Sequence, residues 1–327
     1  MDCFMRGSPV KQVQDLFHQS VINKIGESKH DAKEIARSNL THQDKASTWH
    51  NMGKQMGIHS YKTADAYREI WINVFRGAKE NFHIKDIENL KSDHVQHYLE
   101  TKINEGVSKN TFMQYASACE KLSVALNMYA EKNDTGKTYH FSNNISNVRA
   151  DAHKMLERSD QSRAYENPQA LINTIKNETY QLAAQIQLEA GTRINETSIF
   201  REHNLKEITE HTARGEVGKI HLDGWVTKGG KERDVFVSKE TYQRLENVIN
   251  QKGEFRIKDQ TYYRSLLNEA AKESNQSYNG SHGLRWNFAR DELKQFMASG
   301  KTYEESLILV SHEMGHVRGD ITEHYLK

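Results

Sequence analysis

Apolar residues recur every three or four positions over most of the chain, and one region alternates. Pro9 followed by Val10, Val13, Leu16, Phe17 and Val21 predicts an amphipathic helix with proline in its first turn and Gly26 as its stop. A second, polar helix is expected over about 29–40. Ala64, Tyr67, Trp71, Val74 and Phe75 form the next stripe. Val95, Tyr98, Leu99 and Ile103 follow Asp93 and stop at Gly106. The clearest stripe opens behind Ser108 and runs through Phe112, Tyr115, Cys119, Leu122, Leu126 and Tyr129. Such stripes are core faces before they are anything else. Further helices are expected around 145–158 and, after a cap at Asn167 and proline at Pro168, over about 168–176 and 178–190, the last ending at Gly191.

Strand-like runs are confined to Leu205 to Ile208, Val217 to Val226 and Asp234 to Val237, the last two joined by Thr227-Lys228-Gly229-Gly230-Lys231, which reads as a hairpin turn. Helical stripes then resume at Tyr242, Leu245, Val248 and Ile249, at Tyr262, Tyr263, Leu266 and Leu267, and at Phe288, Leu293, Phe296 and Met297. The fold class expected is mainly α with a small antiparallel β-sheet. The chain divides into a helical N-terminal arm (1–55), a helical domain (56–158) and a second domain (159–327), with the linker near 156–166.

Composition narrows the classes. The 327 residues are 36% hydrophobic and 27% charged with two prolines, which suits a helical protein better than a sandwich or barrel. No apolar run reaches the roughly 18–20 residues that span a bilayer, and the start lacks a basic region followed by an apolar one, so neither membrane span nor signal peptide is expected. Cys3 and Cys119 are too few for a disulfide framework and read as free thiols in a reducing cytoplasm. A net charge of +1 does not advertise nucleic-acid binding; it requires that charges be segregated to one face.

The candidate chemistry lies in the rear half. Arg193, Lys228, His282, Arg285, His316 and Tyr325 combine two guanidiniums, a hairpin lysine, two imidazoles and a phenol. A tyrosine hydroxyl, ordinarily titrating near a pKa of about 10, attacks only if its anion is stabilised. Guanidinium forks match a phosphate and stay charged, and lysine can protonate a leaving oxygen. Such a set can transesterify a phosphodiester without metal or cofactor. Taken singly, each residue is ordinary: a surface arginine, a turn lysine, a capping histidine, a terminal aromatic.

These segments resemble the catalytic domain of the tyrosine recombinase (phage integrase) family. Glu189-Ala190-Gly191-Thr192-Arg193-Ile194-Asn195-Glu196 is similar to its first arginine box, Thr227-Lys228-Gly229-Gly230-Lys231-Glu232-Arg233 to its hairpin lysine motif, His282-Gly283-Leu284-Arg285 to its His-x-x-Arg box, and Gly315-His316 with Tyr325 to its closing pair. The block at 56–135 is more weakly similar to its core-binding domain. The resemblance implies a site-specific recombinase acting on double-stranded DNA as a homo-tetramer on two sites, with accessory DNA-bending or directionality proteins, in the cytoplasm. It implies that Tyr325 attacks the scissile phosphate to give a 3′-phosphotyrosyl link, that Arg193 and Arg285 clamp the phosphate, that Lys228 protonates the leaving oxygen, that His282 assists proton transfer, that His316 bonds the phosphate, and that Glu196 orients Arg193 or the local helix packing. Trp286-Asn287 depart from the family's usual His-Thr.

Two alternatives belong to other classes. His312-Glu313-Met314-Gly315-His316 matches the H-E-x-x-H signature of a zinc metalloprotease, but Gly315 weakens the helix the motif needs and Thr322 stands where a third histidine would be expected. A catalytically idle DNA-binding protein is the other. A relaxing topoisomerase of the same chemistry differs only in whether strands find new partners.

Overall fold

The computed structural model describes residues 5–40, 48–157, 161–228, 230–316 and 318–326. The chain forms two compact units, Met1–Ser159 and Asp160–Lys327.

The first unit is helical throughout its described residues: α1 (Pro9–Gln19), α2 (Lys29–Ser38), α3 (Thr48–Gln55), α4 (Tyr61–Phe82), α5 (Ser92–Asn104), α6 (Lys109–Lys132) and α7 (Ser142–Met155). One local device starts four of them. Ser8, Ser28, Ser60 and Ser108 each accept, through the side-chain oxygen, the backbone N–H three residues on. The stripes then meet: Trp71, Val74 and Phe75 of α4, Val95 and Leu99 of α5 and Phe112, Leu122 and Leu126 of α6 share one core. Trp71 Nε1 donates to the Ala118 carbonyl at 2.7 Å, which makes its full burial tolerable. Cys119 is a free, buried thiol pushed up in pKa by burial and then by Glu120, which makes it unreactive; Cys3 lies outside the described residues.

The amino-terminal helix is not an arm. Val13, Leu16 and Phe17 belong to the same core as Trp71 and Phe75. The helix also stops at Gln19, capped by Ser20, well short of Gly26. Val21 takes a left-handed conformation (φ 62°) and is exposed, so it leaves the stripe, as does exposed Val10. Helices α2 and α3 carry a small satellite cluster of Ala36, Met52 and Met56.

The second unit holds α8 (Pro168–Thr174), α9 (Glu178–Ala190), α10 (Lys239–Lys252), α11 (Gln260–Glu273), α12 (Ser281–Ala298), α13 (Tyr303–Glu313) and α14 (Asp320–Glu323) around a three-stranded antiparallel sheet. Its strands are β2 (Leu205–His211), β3 (Gly215–Leu222) and β4 (Arg233–Ser238), in that spatial order. A two-residue ribbon pairs β1 (Ile199–Phe200) with β5 (Phe255–Arg256). Gly218 of β3 is where α10 lies on the sheet: a Cβ there would come within 2.3 Å of the Tyr242 ring. The tight hairpin expected at the paired glycines is not formed. β3 ends at Leu222, opposite Arg233, and Val226 sits in successive turns, its N–H on the Asp223 carbonyl at 3.2 Å. Lys228 therefore rides on a longer loop; Gly229 lies outside the described residues. Among the described residues no helix is long and apolar enough to cross a membrane.

Candidate active site

The first arginine comes from the end of α9. Gly191 closes that helix in the left-handed conformation (φ 59°), and a Cβ on it would lie 2.3 Å from the Phe288 ring. Only glycine fits. Gly191→Ala should cost about 3 kcal/mol, from the left-handed backbone and the overpacked ring together, read as a lower urea midpoint. The turn that follows sets Arg193 beside Glu196, whose oxygens accept Arg193 N and Nη1, each at 2.8 Å.

Glu196 is buried, and a second guanidinium holds it: Arg233 of β4 donates through Nη2 at 2.8 Å and Nη1 at 3.3 Å. Burial pushes the Glu196 carboxyl up, but hydrogen bonds and charge from Arg233, then Arg193, outweigh it and bring it from 4.5 to about 2. The folded state thus prefers the carboxylate. At about 1.4 kcal/mol per tenfold change in proton affinity this contributes roughly 3 kcal/mol. That stability is complete above pH 4.5 and is lost as pH falls toward about 2. Glu196→Gln should flatten the stability-against-pH curve across that window, as measured by urea melts at stepped pH.

Arg285 of α12 is fully buried. It donates through Nη1 to the Gly191 carbonyl and through Nη2 to the Met314 carbonyl, and Nη2 also lies 3.0 Å from His316 Nε2. Burial, then Arg193, pushes it down to about 10, so it remains a cation at neutral pH. Arg193 Nη2 reaches the same His316 nitrogen at 3.4 Å. Burial and the charges of Arg285, Arg193 and Arg233 hold His316 down at about 3. The ring is therefore neutral, Nε2 accepts from the guanidiniums, and Nδ1 keeps the hydrogen, buried without a protein partner. His282 is likewise held near 4, by burial and then by Arg285, Arg163 and Arg193.

Tyr325 closes the group from the last 3-10 turn. Its ring stacks on His316 (centroids 5.7 Å apart, 29° between planes), lies 5.5 Å from His282, and has the Arg285 guanidinium carbon 5.7 Å from its centroid. Five of the six sequence-derived residues are thus together: Arg193, His282, Arg285, His316 and Tyr325. Lys228 is exposed on the β3–β4 loop and makes no hydrogen bond or ion pair with the other five.

Sequence reasoning missed two supports. Arg233, the first residue of β4 after the loop that carries Lys228, is tied to Glu196 and, through Nε at 3.1 Å, to the Glu313 carbonyl. Asn287 grips Tyr165 by both backbone groups, accepting its N–H at 2.9 Å and donating to its carbonyl at 2.8 Å. Its neighbour Trp286 packs on Tyr325 and His324. The departure at Trp286-Asn287 therefore has a packing role in this chain.

The H-E-x-x-H segment does not present two histidines together. α13 ends at Glu313 and Gly315 is left-handed (φ 72°), so His312 stays exposed while His316 turns to the arginines. Glu313 instead joins His211 at 2.7 Å and Arg214 at 3.4 Å, with Glu292 also on Arg214 at 3.3 Å. Among the described residues, His211, Glu292 and Glu313 are the grouping close enough to hold an ion. However, His211 Nδ1 accepts the Ala213 N–H at 3.3 Å. The hydrogen then sits on Nε2 and is donated to Glu313, so no lone pair faces the carboxylates. Burial and then Glu313 raise the pKa of Glu292. The cluster reads as an ion-pair lock beneath the turn that carries His316.

The fold these elements make is that of the tyrosine recombinases. The family described as "Phage integrase, N-terminal" matches residues 42–134. The structure of XerH site-specific recombinase bound to palindromic difH substrate, a post-cleavage complex, is similar over 97% of this chain and 90% of that one, with a TM-score of 0.61 at 15% identity. A lambda integrase dimer bound to a COC′ core site is similar over 93% of this chain and 78% of that one (TM-score 0.55, 16% identity). Tn1549 transposon integrase in complex with transposon right end DNA is similar over 97% and 95% (TM-score 0.53, 13% identity). No curated protein matches the sequence. The fold expected from the sequence, mainly helical with a small antiparallel sheet, is borne out, and the family match over residues 42–134 agrees with the resemblance read for the helical block at 56–135.

Proposed function

We propose that this chain is a metal-independent, site-specific DNA recombinase that cuts and rejoins duplex DNA through Tyr325. The observation that carries the reading is the meeting of Tyr325 with two guanidiniums at one imidazole: Arg193 and Arg285 both reach His316, and Tyr325 stacks on that ring. The Tyr325 oxygen bonds to phosphorus as the bond to the 5′-oxygen breaks, giving a 3′-phosphotyrosyl link and, after protonation by Lys228, a 5′-hydroxyl. Arg193 and Arg285 offset the charge that builds on the non-bridging oxygens. His316, held between the two guanidiniums, bonds the phosphate, and neutral His282 can accept the phenolic proton. The link conserves the bond energy, so a second strand's 5′-hydroxyl can reverse the step without ATP.

In this reading the Met1–Ser159 unit grips the DNA and the Asp160–Lys327 unit performs the chemistry. Recombination needs two sites, hence a homo-tetramer, with accessory DNA-bending proteins to set direction, in the cytoplasm. Lys228 must come in with its loop when DNA binds. Lys228→Ala should therefore slow cleavage by about 10²–10³-fold, the range for a lost general acid, yet recover on a duplex whose 5′ leaving oxygen is replaced by sulfur, which needs no proton. A recovery no larger than that of the unaltered chain would remove Lys228 from this role.

A further inference from the structure

The segment before α8 holds a third guanidinium at the same site. Tyr165 is fixed by Asn287 at both backbone groups, and its hydroxyl donates to the Gly280 carbonyl at 3.0 Å and accepts the Asn279 N–H at 3.2 Å. Asn279 Nδ2 donates to the Ala164 carbonyl at 3.2 Å. This cradle sets Arg163 at the start of α12, where its Nη2 donates to the Asn279 carbonyl at 3.0 Å and lies 3.6 Å from where a Cβ on Gly280 would be. The approach is close enough to dictate a residue in the third box. A Cβ on Gly283 would sit 2.7 Å from both the Arg163 carbonyl and the Tyr165 ring. The glycine of His282-Gly283-Leu284-Arg285 is therefore there to let the Arg163 segment lie against the helix.

A backbone held at so many points is an odd place for a solvated arginine without a purpose. Arg163 is exposed and, of its five N–H donors, one is engaged with Asn279; the others have no protein partner among the described residues. Arg163 is also one of the charges that His282 feels. We propose that Arg163 binds a backbone phosphate of the duplex next to the one Tyr325 attacks, adding a third guanidinium to the clamp and fixing the strand's register over His282. This rests on the recombinase reading above and names a further phosphate-binding residue for that reaction.

The test is the salt dependence of binding to a short fluorescein-labelled duplex of arbitrary sequence, followed by anisotropy. Each phosphate contact contributes about 0.9 to the slope of log affinity against log salt. Arg163→Gln should therefore reduce the slope by about 0.9 while Arg163→Lys keeps it, both variants retaining the far-UV circular dichroism of the unaltered chain. An unchanged slope in a folded Arg163→Gln overturns the assignment and leaves the recombinase reading standing; failure of the unaltered chain to bind duplex brings down both. If Arg163→Gln does not fold, phenylglyoxal labelling of the unaltered chain decides. Arg163 protected by duplex supports the contact, and equal modification with and without duplex overturns it.

Discussion

Tyr325→Phe is expected to abolish covalent capture of DNA while leaving the fold and the affinity for duplex almost unchanged. The ring is 8% exposed and packs among the His316, His282 and Trp286 rings and the Arg285 guanidinium, and its hydroxyl makes one hydrogen bond, with Arg285. Phenylalanine keeps that packing, so the change in stability should stay below about 1 kcal/mol, the net value of a typical hydrogen bond. Cleavage should fall on the order of 10⁶-fold, the scale seen when a nucleophile is removed from an otherwise intact site. Denaturing gels of protein incubated with a nicked duplex check the first part and anisotropy the second. A variant that still forms an adduct would mean that another residue attacks.

Arg285→Ala should damage both stability and chemistry, because one side chain serves both. Its guanidinium is fully buried and satisfies the Gly191 and Met314 carbonyls, one at the end of α9 and the other just after α13. Removing it strands two buried acceptors at about 1–3 kcal/mol each, offset by the relief of a buried charge, for a net loss of about 3 kcal/mol. It also frees the turn that carries His316. Single-turnover cleavage should drop by at least about 10³-fold, the upper range for one lost charge-stabilising donor, with duplex affinity weakened far less. Arg285→Lys would keep the charge but not the two-pronged geometry. It should recover part of the stability and little of the cleavage. Equal loss of binding and cleavage in Arg285→Ala would contradict its place at the reacting phosphate.

Much of this was legible in the sequence because it is local. Pro9 and Ser108, each followed by a helical stripe, fix where α1 and α6 start, and the stripe of α6 fixes what it buries. The four boxes locate five clustered residues because each box is a short structural unit, such as the left-handed stop at Gly191 before Arg193. What was not legible depends on distant partners. β1 and β5 are two residues each and pair only because α10 brings Phe255 back to Phe200. Val21 fits the helical period but lies beyond the cap at Ser20. The β3–β4 loop outgrew its glycine signal because the pairing ends at Leu222 and Arg233. The pattern of His312, Glu313 and His316 imitates a zinc helix, and only the break at Gly315 separates its two histidines; Arg233 packs within 3.0 Å of any Cβ there. The roles of Arg233 and Asn287 could not be read from spacing, since their partners are Glu196, Glu313 and Tyr165.

The most direct test is to identify the protein atom joined to DNA. A duplex nicked close to the cleavage point releases a short fragment after attack and so traps the intermediate. The trapping reaction is run in EDTA, and the adduct is digested and sequenced by mass spectrometry. A nucleotide 3′-phosphate on the tyrosine of Ile321-Thr322-Glu323-His324-Tyr325, formed at full rate in the chelator, is the expected product. A DNA adduct on a different residue, a link to a 5′-phosphate, or capture that needs a metal ion would contradict it.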